Sequence, residues 1–316
     1  MKKICCIFVS TLLILSLCAC GSETGRAEQV EGKLNIVASC YPAYDFAKNI
    51  AGENAAVTLL IPPGTEPHSF EPTTKEMLLI GSCDLLIRNG GESEEWMEEL
   101  LDSLDDRPED LVMLDCVEAL EEAEKEGMQE IHEEESGEEG PEYDEHVWTS
   151  PTNAILICGE ICTLLSDADP ANADVYAANY SAYAAKLEEL REQFRITVEN
   201  AQIKTLIFAD RFPVRYFVEE FGLDYFAAFP GCADDVEPSA KTVAFLIDRV
   251  REENIPAVFY IELSNQKMAD VICEDTGCKK LLFHSCQTVG ADEFARGEDY
   301  LSLMTANLEA LKEALY

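Results

Sequence analysis

The chain has 316 residues, 47% of them hydrophobic, so it is long enough for two domains that each bury a core. Asp and Glu number 62 against 23 Lys and Arg, which gives a formal net charge of −39. A surface this acidic repels nucleic acid and anionic lipid, and it concentrates cations near the protein. Nucleic acid is therefore excluded as a partner.

The first residues have the features of a targeting segment. Lys2 and Lys3 give it a positively charged start, and residues 4–17 form an uncharged apolar run. That run is too short to span a bilayer comfortably and is typical of the hydrophobic region of a signal peptide.

A lipobox-like sequence ends this segment. The small residue Ala19 precedes Cys20, whereas the bulky Leu17 precedes Cys18 and makes it the weaker candidate. We predict a lipoprotein signal peptide over residues 1–20, lipid attachment at Cys20 and a polar tether over residues 21–33. The alternative is a conventional signal peptide that is cleaved nearby.

The first half of the chain alternates between predicted strands and predicted helices. Four apolar runs predict strands at residues 34–39, 56–61, 85–88 and 111–114. One of the intervening helices starts at Thr73, where Thr73 and Glu76 form a capping box. Continuous apolar strands that alternate with helices indicate a parallel sheet covered on both faces. We predict an N-terminal α/β lobe over residues 34–168.

Glutamate dominates a segment within this lobe, at residues 118–145. Its composition predicts a solvated acidic loop, and its single histidine is His132. Because its carboxylates are hard and mobile, we expect this loop to collect metal ions weakly and not to form a tight site.

Residues 169–201 predict one long helix, with Asp169 as the N-cap and Pro170 in the first turn. About 30 helical residues span roughly 45 Å, so we expect this helix to join two lobes and to resist large hinge motions. The alternative is an ordinary amphipathic core helix. Apolar and aromatic residues at spacings of three and four form one stripe along it: Tyr176, Tyr180, Tyr183, Leu187, Leu190, Phe194 and Val198.

The second half of the chain repeats the alternation. Strands are predicted at residues 205–209, 224–229, 257–261 and 280–283. Helices are predicted at about residues 212–220, 239–253, 266–275 and 300–315. The predicted fold is therefore α/β: two lobes, each with a four-stranded parallel sheet flanked by helices, joined by one long rigid helix. The C-terminal lobe covers residues 202–316.

Nine cysteines follow Cys20, and this odd number cannot pair completely. Since none of them form a CxxC pair, a zinc ribbon built from thiolates is disfavoured. Most are expected to be small buried residues. One bridge remains open among Cys273, Cys278 and Cys286, with the pairing undecided.

Three histidines follow predicted strands. Ligands of parallel α/β sheets bind outside the carboxyl ends of the strands. His68, His146 and His284 each follow a strand, and Asp210 directly follows the first strand of the second lobe. Three imidazoles and one carboxylate from both lobes would form a closed four-coordinate metal site.

Each of these residues has an alternative role. A histidine in a loop is commonly just exposed to solvent, and Asp210 could instead cap the next helix or pair with Arg211 or Arg215. Other carboxylates could also complete the site: Glu262, Asp234, Asp235 and Glu237.

Two signatures give this pattern a more specific meaning. The first is residues 40–46 (CYPAYDF) followed by residues 60–72 (LIPPGTEPHSFEP), and the second is residues 146–151 (HVWTSP). In this order and separation they resemble the zinc/manganese-type metal-binding lipoproteins that are solute-binding proteins of metal ABC transporters. The resemblance extends over essentially the whole mature chain. It implies two lobes around a central helix, with His68 and His146 as ligands.

The chain also departs from that family. The family's variable loop is often rich in histidine, whereas this one is rich in glutamate. The third family ligand, His or Glu, is best matched by Asp210, although residues 208–217 are about two residues longer than the family pattern. The fourth position, usually a carboxylate, falls on or beside His284. The implied set is thus His68, His146, Asp210 and His284.

Three nitrogen donors and one oxygen favour Zn²⁺ over Mn²⁺, which remains the alternative. The resemblance implies a lipid-anchored, monomeric receptor on the extracytoplasmic face of the cell membrane that captures the ion and delivers it to an ABC permease, without catalysis. The alternatives are a manganese-binding receptor and a metal-dependent adhesin of the same fold. A metallohydrolase is less favoured because the chain has no HExxH motif.

Overall fold

Two four-stranded parallel sheets organise the computed structural model, which describes residues 32–129, 142–232 and 238–316. The strands of the first lobe are β1 (Leu34–Ala38), β2 (Ala55–Leu59), β3 (Leu85–Arg88) and β4 (Glu109–Val112). The strands of the second lobe are β5 (Thr205–Arg211), β6 (Asp224–Phe229), β7 (Ala257–Tyr260) and β8 (Lys279–Leu282). Their orders, β2-β1-β3-β4 and β6-β5-β7-β8, follow the same pattern. All eight predicted strands and the predicted fold class are confirmed.

Helices follow or flank the strands in both lobes. In the first lobe they are α1 (Tyr41–Ala51), α2 (Thr74–Ile80), α3 (Glu95–Asp102) and α4 (Pro151–Ala168). In the second lobe they are α6 (Arg215–Phe221), α7 (Ala240–Glu253), α8 (Lys267–Thr276), α9 (Ala291–Arg296) and α10 (Tyr300–Leu315). The capping box of Thr73 and Glu76 is present at the start of α2, as predicted. The short helix α9 was not predicted.

The connecting helix α5 (Ala173–Asn200) begins four residues later than predicted. The predicted N-cap, Asp169, instead ends α4, and its backbone N–H donates to the carbonyl oxygen of Leu165 at 2.9 Å. Its carboxylate accepts hydrogen bonds from the side chains of Asn172 and Tyr176, at 2.6 and 2.9 Å. Pro170 has no N–H to continue α4, so the chain turns here before α5 starts.

The predicted stripe of α5 is its buried face, apart from Tyr180, which is half-buried. Along this helix α1 and α4 of the first lobe pack on α5, as do α6 and α10 of the second lobe. The helix therefore contacts both lobes over its length, as expected for a spine.

Part of the acidic segment crosses onto the second lobe. The backbone N–H of Gln129 donates to the carbonyl oxygen of Ala228 in β6 at 2.8 Å. A Cβ on Gly127 would stand only 2.0 Å from the ring of Phe245, so the backbone lies directly against α7. We call residues 118–129 the acidic strap. This packed path differs from the predicted solvated loop, and His132 lies outside the described residues.

The described cysteines are all free thiols. Of the three left open for a bridge, Cys273 and Cys278 face each other with their Sγ atoms 3.4 Å apart, while Cys286 is buried elsewhere. Across the described ranges, no helix combines the length and apolar character needed to cross a membrane. The predicted signal peptide and Cys20 lie outside those ranges.

Candidate metal centre

His68 lies in the loop after β2, and this loop is held against the second lobe. The Glu66 carboxylate forms an ion pair with Arg211 at 2.7 Å, and the backbone N–H of His68 donates to Glu66 Oε1 at 3.4 Å. The side-chain amide of Gln287 lies 3.0 Å from Nε2 of His68. These contacts place the His68 imidazole where the two lobes meet.

His146 is oriented by the carboxylate of Asp144. Oδ1 of Asp144 lies 3.1 Å from Nδ1 of His146 and accepts the backbone N–H of His146 at 2.8 Å. The hydroxyl of Tyr216 donates to the carbonyl oxygen of Asp144 at 2.8 Å, which anchors this turn to α6. A carboxylate on Nδ1 holds the imidazole in the tautomer that leaves the Nε2 lone pair available.

Nε2 of His146 is a buried nitrogen that has no hydrogen-bond partner among the described residues. The whole ring is buried. A buried polar group without a hydrogen bond lowers the stability of the fold by about 1–3 kcal/mol, so the unpaired nitrogen needs a functional explanation. A metal ion bound at Nε2 would supply the missing partner.

His68, His146 and Cys232 form the one group, within the described ranges, in which at least three possible metal-ligand side chains meet. One nitrogen from each imidazole and the Sγ of Cys232 all lie within 4.8 Å of one another. The two rings have centroids 5.4 Å apart. Cys232 follows β6, and its backbone N–H donates to Oε1 of Glu122 in the acidic strap at 3.1 Å. The group therefore draws on both lobes.

Gly231 allows the Cys232 backbone to approach the histidine. A Cβ at this position would lie 2.9 Å from the carbonyl oxygen of Phe212, 3.1 Å from Oδ2 of Asp144 and 3.3 Å from Cε1 of His146. Glycine is thus required here for close packing of the backbone against the ring.

The electrostatics of the site favour a bound cation. Burial, together with the neighbouring His146, lowers the pKa of His68 to about 3, so this ring is neutral and able to coordinate. Burial also disfavours a charged His146 ring, but the carboxylates of Asp144, Glu145 and Glu122 together outweigh this effect and raise the pKa of His146. Burial and the carboxylates of Asp144 and Glu145 raise the pKa of the Cys232 thiol well above its ordinary value. These carboxylates would stabilise a divalent ion.

The structure does not bring Asp210 into this group. Strand β5 runs to Arg211, two residues beyond its predicted end, so Asp210 lies within the strand and not after it. Its Oδ2 faces the backbone N–H of Ile261 at 3.5 Å, and its carboxylate also interacts with the side chain of Ser264.

His284 also lies outside the group. Its Nδ1 accepts the backbone N–H of Cys286 at 2.9 Å, and its own backbone N–H donates to Oδ1 of Asn307 at 2.7 Å. The ring lies between Glu262 and Glu293, at 3.7 and 3.8 Å. The rival carboxylate Glu262 accepts hydrogen bonds from the backbone N–H and the hydroxyl of Ser285, next to His284.

The remaining rival carboxylates, Asp234, Asp235 and Glu237, lie outside the described residues. Conversely, Cys232 and Gln287 lie at this centre although the sequence did not predict them there. Cys232 follows β6, so the rule that ligands bind at strand ends could have found it. Gln287 had no comparable signal, because it lies several residues beyond β8.

A family described as "Zinc-uptake complex component A periplasmic" matches residues 36–314 of the chain. The chain belongs to this family. The predicted resemblance is therefore confirmed, and the family is one of uptake components and not a known enzyme class.

Relatives and solved structures agree with this membership. The zinc-binding lipoprotein AdcA of Streptococcus pneumoniae is 33% identical over 99% of this chain, which spans only 61% of that relative's length. The high-affinity zinc uptake system protein ZnuA of Bacillus subtilis is 31% identical, over 99% of this chain and 98% of the relative. The Zn(II)-bound ZnuA-like domain of S. pneumoniae AdcA superposes with a TM-score of 0.75 at 30% identity, covering 90% of this chain and 99% of that domain.

Proposed function

We propose that the protein is an extracytoplasmic receptor that captures Zn²⁺ and delivers it to an ABC permease. The observation that carries this proposal is the buried Nε2 of His146, which has no hydrogen-bond partner in the described part of the chain and lies beside the imidazole of His68 where the lobes meet. The names of the relatives, a zinc-binding lipoprotein and a zinc uptake protein, support the same ligand.

The donors favour zinc over manganese. Imidazole nitrogen is a borderline ligand that suits Zn²⁺, whereas Mn²⁺ prefers oxygen donors. Neither Asp210 nor Glu262 lies in the group that contains the two histidines. The role is capture and release, without bond-making chemistry on a substrate.

Membrane attachment forms part of the proposal. The lipobox-like sequence supports a lipid on Cys20, and a polar tether over residues 21–33 would let the receptor reach a permease while it stays at the membrane. A metal-dependent adhesin of the same fold remains the alternative from the sequence, and loss of zinc uptake on gene deletion distinguishes the receptor from it.

Zinc binding to the purified protein tests the proposal. In calorimetry, we expect His68→Ala and His146→Ala each to weaken zinc binding by roughly tenfold or more, because even changes behind the ligands cost about 10–100-fold. The matched control is His132→Ala, which removes an imidazole from the acidic segment and should leave the tight site intact. If His68→Ala and His146→Ala both bind zinc as tightly as the wild type, the proposed site is wrong.

A further inference from the structure

We infer that the Sγ of Cys232 is a direct ligand of the captured ion, so that the receptor holds its metal with one thiolate and two imidazoles. This inference rests on the proposed function and names the third donor of the same site. Binding breaks the S–H bond of Cys232, releases its proton to solvent and forms a bond between sulfur and the metal.

The geometry places the thiol together with the two histidines. Sγ of Cys232 and one nitrogen from each of His68 and His146 lie within 4.8 Å of one another. Bonds of zinc to sulfur and nitrogen are about 2.3 and 2.0–2.1 Å long. Donor atoms around one tetrahedral zinc are therefore less than about 4 Å apart, and a modest contraction of this group brings all three atoms to one ion.

Independent features show that the surroundings are built for this contact. Nε2 of His146 is fully buried, lacks a hydrogen-bond partner among the described residues and belongs to a ring fixed by Asp144. The missing side chain of Gly231 leaves room for the backbone beside that ring. The carboxylate of Glu122 accepts the backbone N–H of Cys232 and so holds this part of the chain. The thiol is therefore positioned by its neighbours and is more than a residue that fills space.

A thiolate changes what the site selects. Thiolates are soft donors that favour Zn²⁺ and Cu⁺, whereas Mn²⁺ favours carboxylate and carbonyl oxygen. The negative charge of the thiolate also offsets one of the two positive charges of zinc. Selection against manganese then resides in Cys232, although cysteines of this chain are expected mainly as small buried residues.

Cobalt(II) and zinc provide the test. Cobalt(II) bound by a thiolate absorbs in the near ultraviolet through charge transfer from sulfur to the metal, so the wild type should show this band. Cys232→Ser should lose the band and weaken zinc binding by roughly tenfold or more. Cys232→His should restore zinc binding while the charge-transfer band stays absent. X-ray absorption of the zinc-loaded wild type should show one sulfur at about 2.3 Å.

The matched control is Cys83→Ser, which changes another half-buried thiol, one that donates to the carbonyl oxygen of Ile80 in the first lobe. It should keep both the band and the zinc affinity. Thermal unfolding of the metal-free variants shows whether Cys232→Ser is folded, and Cys232→His tests the inference independently if it is not.

The outcomes separate the two proposals. If zinc binding depends on His146 but the cobalt band is absent from the wild type and Cys232→Ser binds zinc normally, the inference is overturned and the receptor function stands. If the wild type does not bind zinc, or if neither histidine matters, both proposals are overturned.

Discussion

His284 links strand β8 to the helices that follow it. Its backbone N–H and carbonyl oxygen both bond to the Asn307 side chain in α10, at 2.7 and 2.8 Å. Its ring approaches Glu293, which accepts the backbone N–H of Gly290 at the start of α9. The pairing with His284 lowers the pKa of Glu293 to about 2. We propose a structural role for His284, whose buried Nε2, like that of His146, lacks a hydrogen-bond partner among the described residues.

We expect His284→Asn to lower stability and to leave zinc binding unchanged. The shorter side chain cannot reach Glu293, and the loss of this interaction with a carboxylate costs about 1–3 kcal/mol. Urea unfolding of the metal-free protein and zinc calorimetry measure the two effects. His146→Asn is the matched control and should show a large loss of zinc affinity. A tenfold loss of zinc affinity in His284→Asn would return this residue to the ligand set predicted from the sequence.

These residues show why the candidate site was only partly predictable. The strand-end rule indicated the correct edge of each sheet, and His68 and His146 meet there. It does not determine where a side chain points once the strand has ended. Two extra residues in β5 kept Asp210 in the strand, and hydrogen bonds turned His284 toward its own lobe. Cys232 also follows a strand, but as a cysteine it was expected to be a small buried residue.

At the scale of elements, Asp45 places a carboxylate between α1 and α5. The hydroxyl of Tyr183 in α5 donates to Asp45 Oδ2 at 2.9 Å, and the side chain of Asn49 donates to the same atom at 3.1 Å. Burial disfavours the charged form and raises the pKa of Asp45 from 3.8 to about 7. The contact between the first lobe and the connecting helix is therefore sensitive to pH.

We expect Asp45→Asn to remove part of the pH dependence of stability. Because the folded-state pKa is raised, the stabilising contribution is fully present below about pH 4 and is lost as the pH rises through 7. The variant should therefore gain roughly 1–4 kcal/mol relative to the wild type between pH 4 and pH 8. Urea unfolding of both metal-free proteins at several pH values measures this gain. Asp275→Asn, on the surface, is the control, and equal pH profiles for Asp45→Asn and the wild type would contradict the prediction.

Periodicity and capping residues were sufficient to predict most of the elements. Apolar runs gave all eight strands, and the spacing of the stripe gave the buried face of α5. The start of α5 was predicted too early, because Asp and Pro suit the turn after a helix as well as the start of one. Asp169 and Pro170 form the turn after α4. The acidic strap was missed because its glutamates suggested solvation, although Leu120 and Met128 pack against the core.

At the scale of the whole molecule, the acidic strap connects the first lobe to the third proposed ligand. Its Glu122 accepts the backbone N–H of Cys232, and the side chain of Gln129 accepts the backbone N–H of Ser239 at the start of α7. The strap therefore bonds to the second lobe on both sides of the segment that follows Cys232.

We expect the acidic segment to divide into two parts with different effects. Replacing residues 130–140 by Gly and Ser of equal length should leave the tight zinc site intact and reduce only weak binding, because solvated carboxylates bind borderline metals weakly. Glu122→Ala should instead weaken zinc binding by about 10–100-fold, since it releases the backbone of a ligand. Glu121→Ala is the matched control. Calorimetry distinguishes these variants, and loss of the tight site in the Gly/Ser variant would place ligands within residues 130–140.

The strap also limits how this protein can be recombined with its relatives. A crossover within α5 would join two intact lobes, yet it would separate Glu122 from the loop of Gly231 and Cys232 that it holds. Such a chimera would fold around a mismatched site. Transferring the metal preference of this receptor to a relative therefore requires residues from both halves of the chain to be moved together. In evolution, these residues should likewise change together when the metal preference changes.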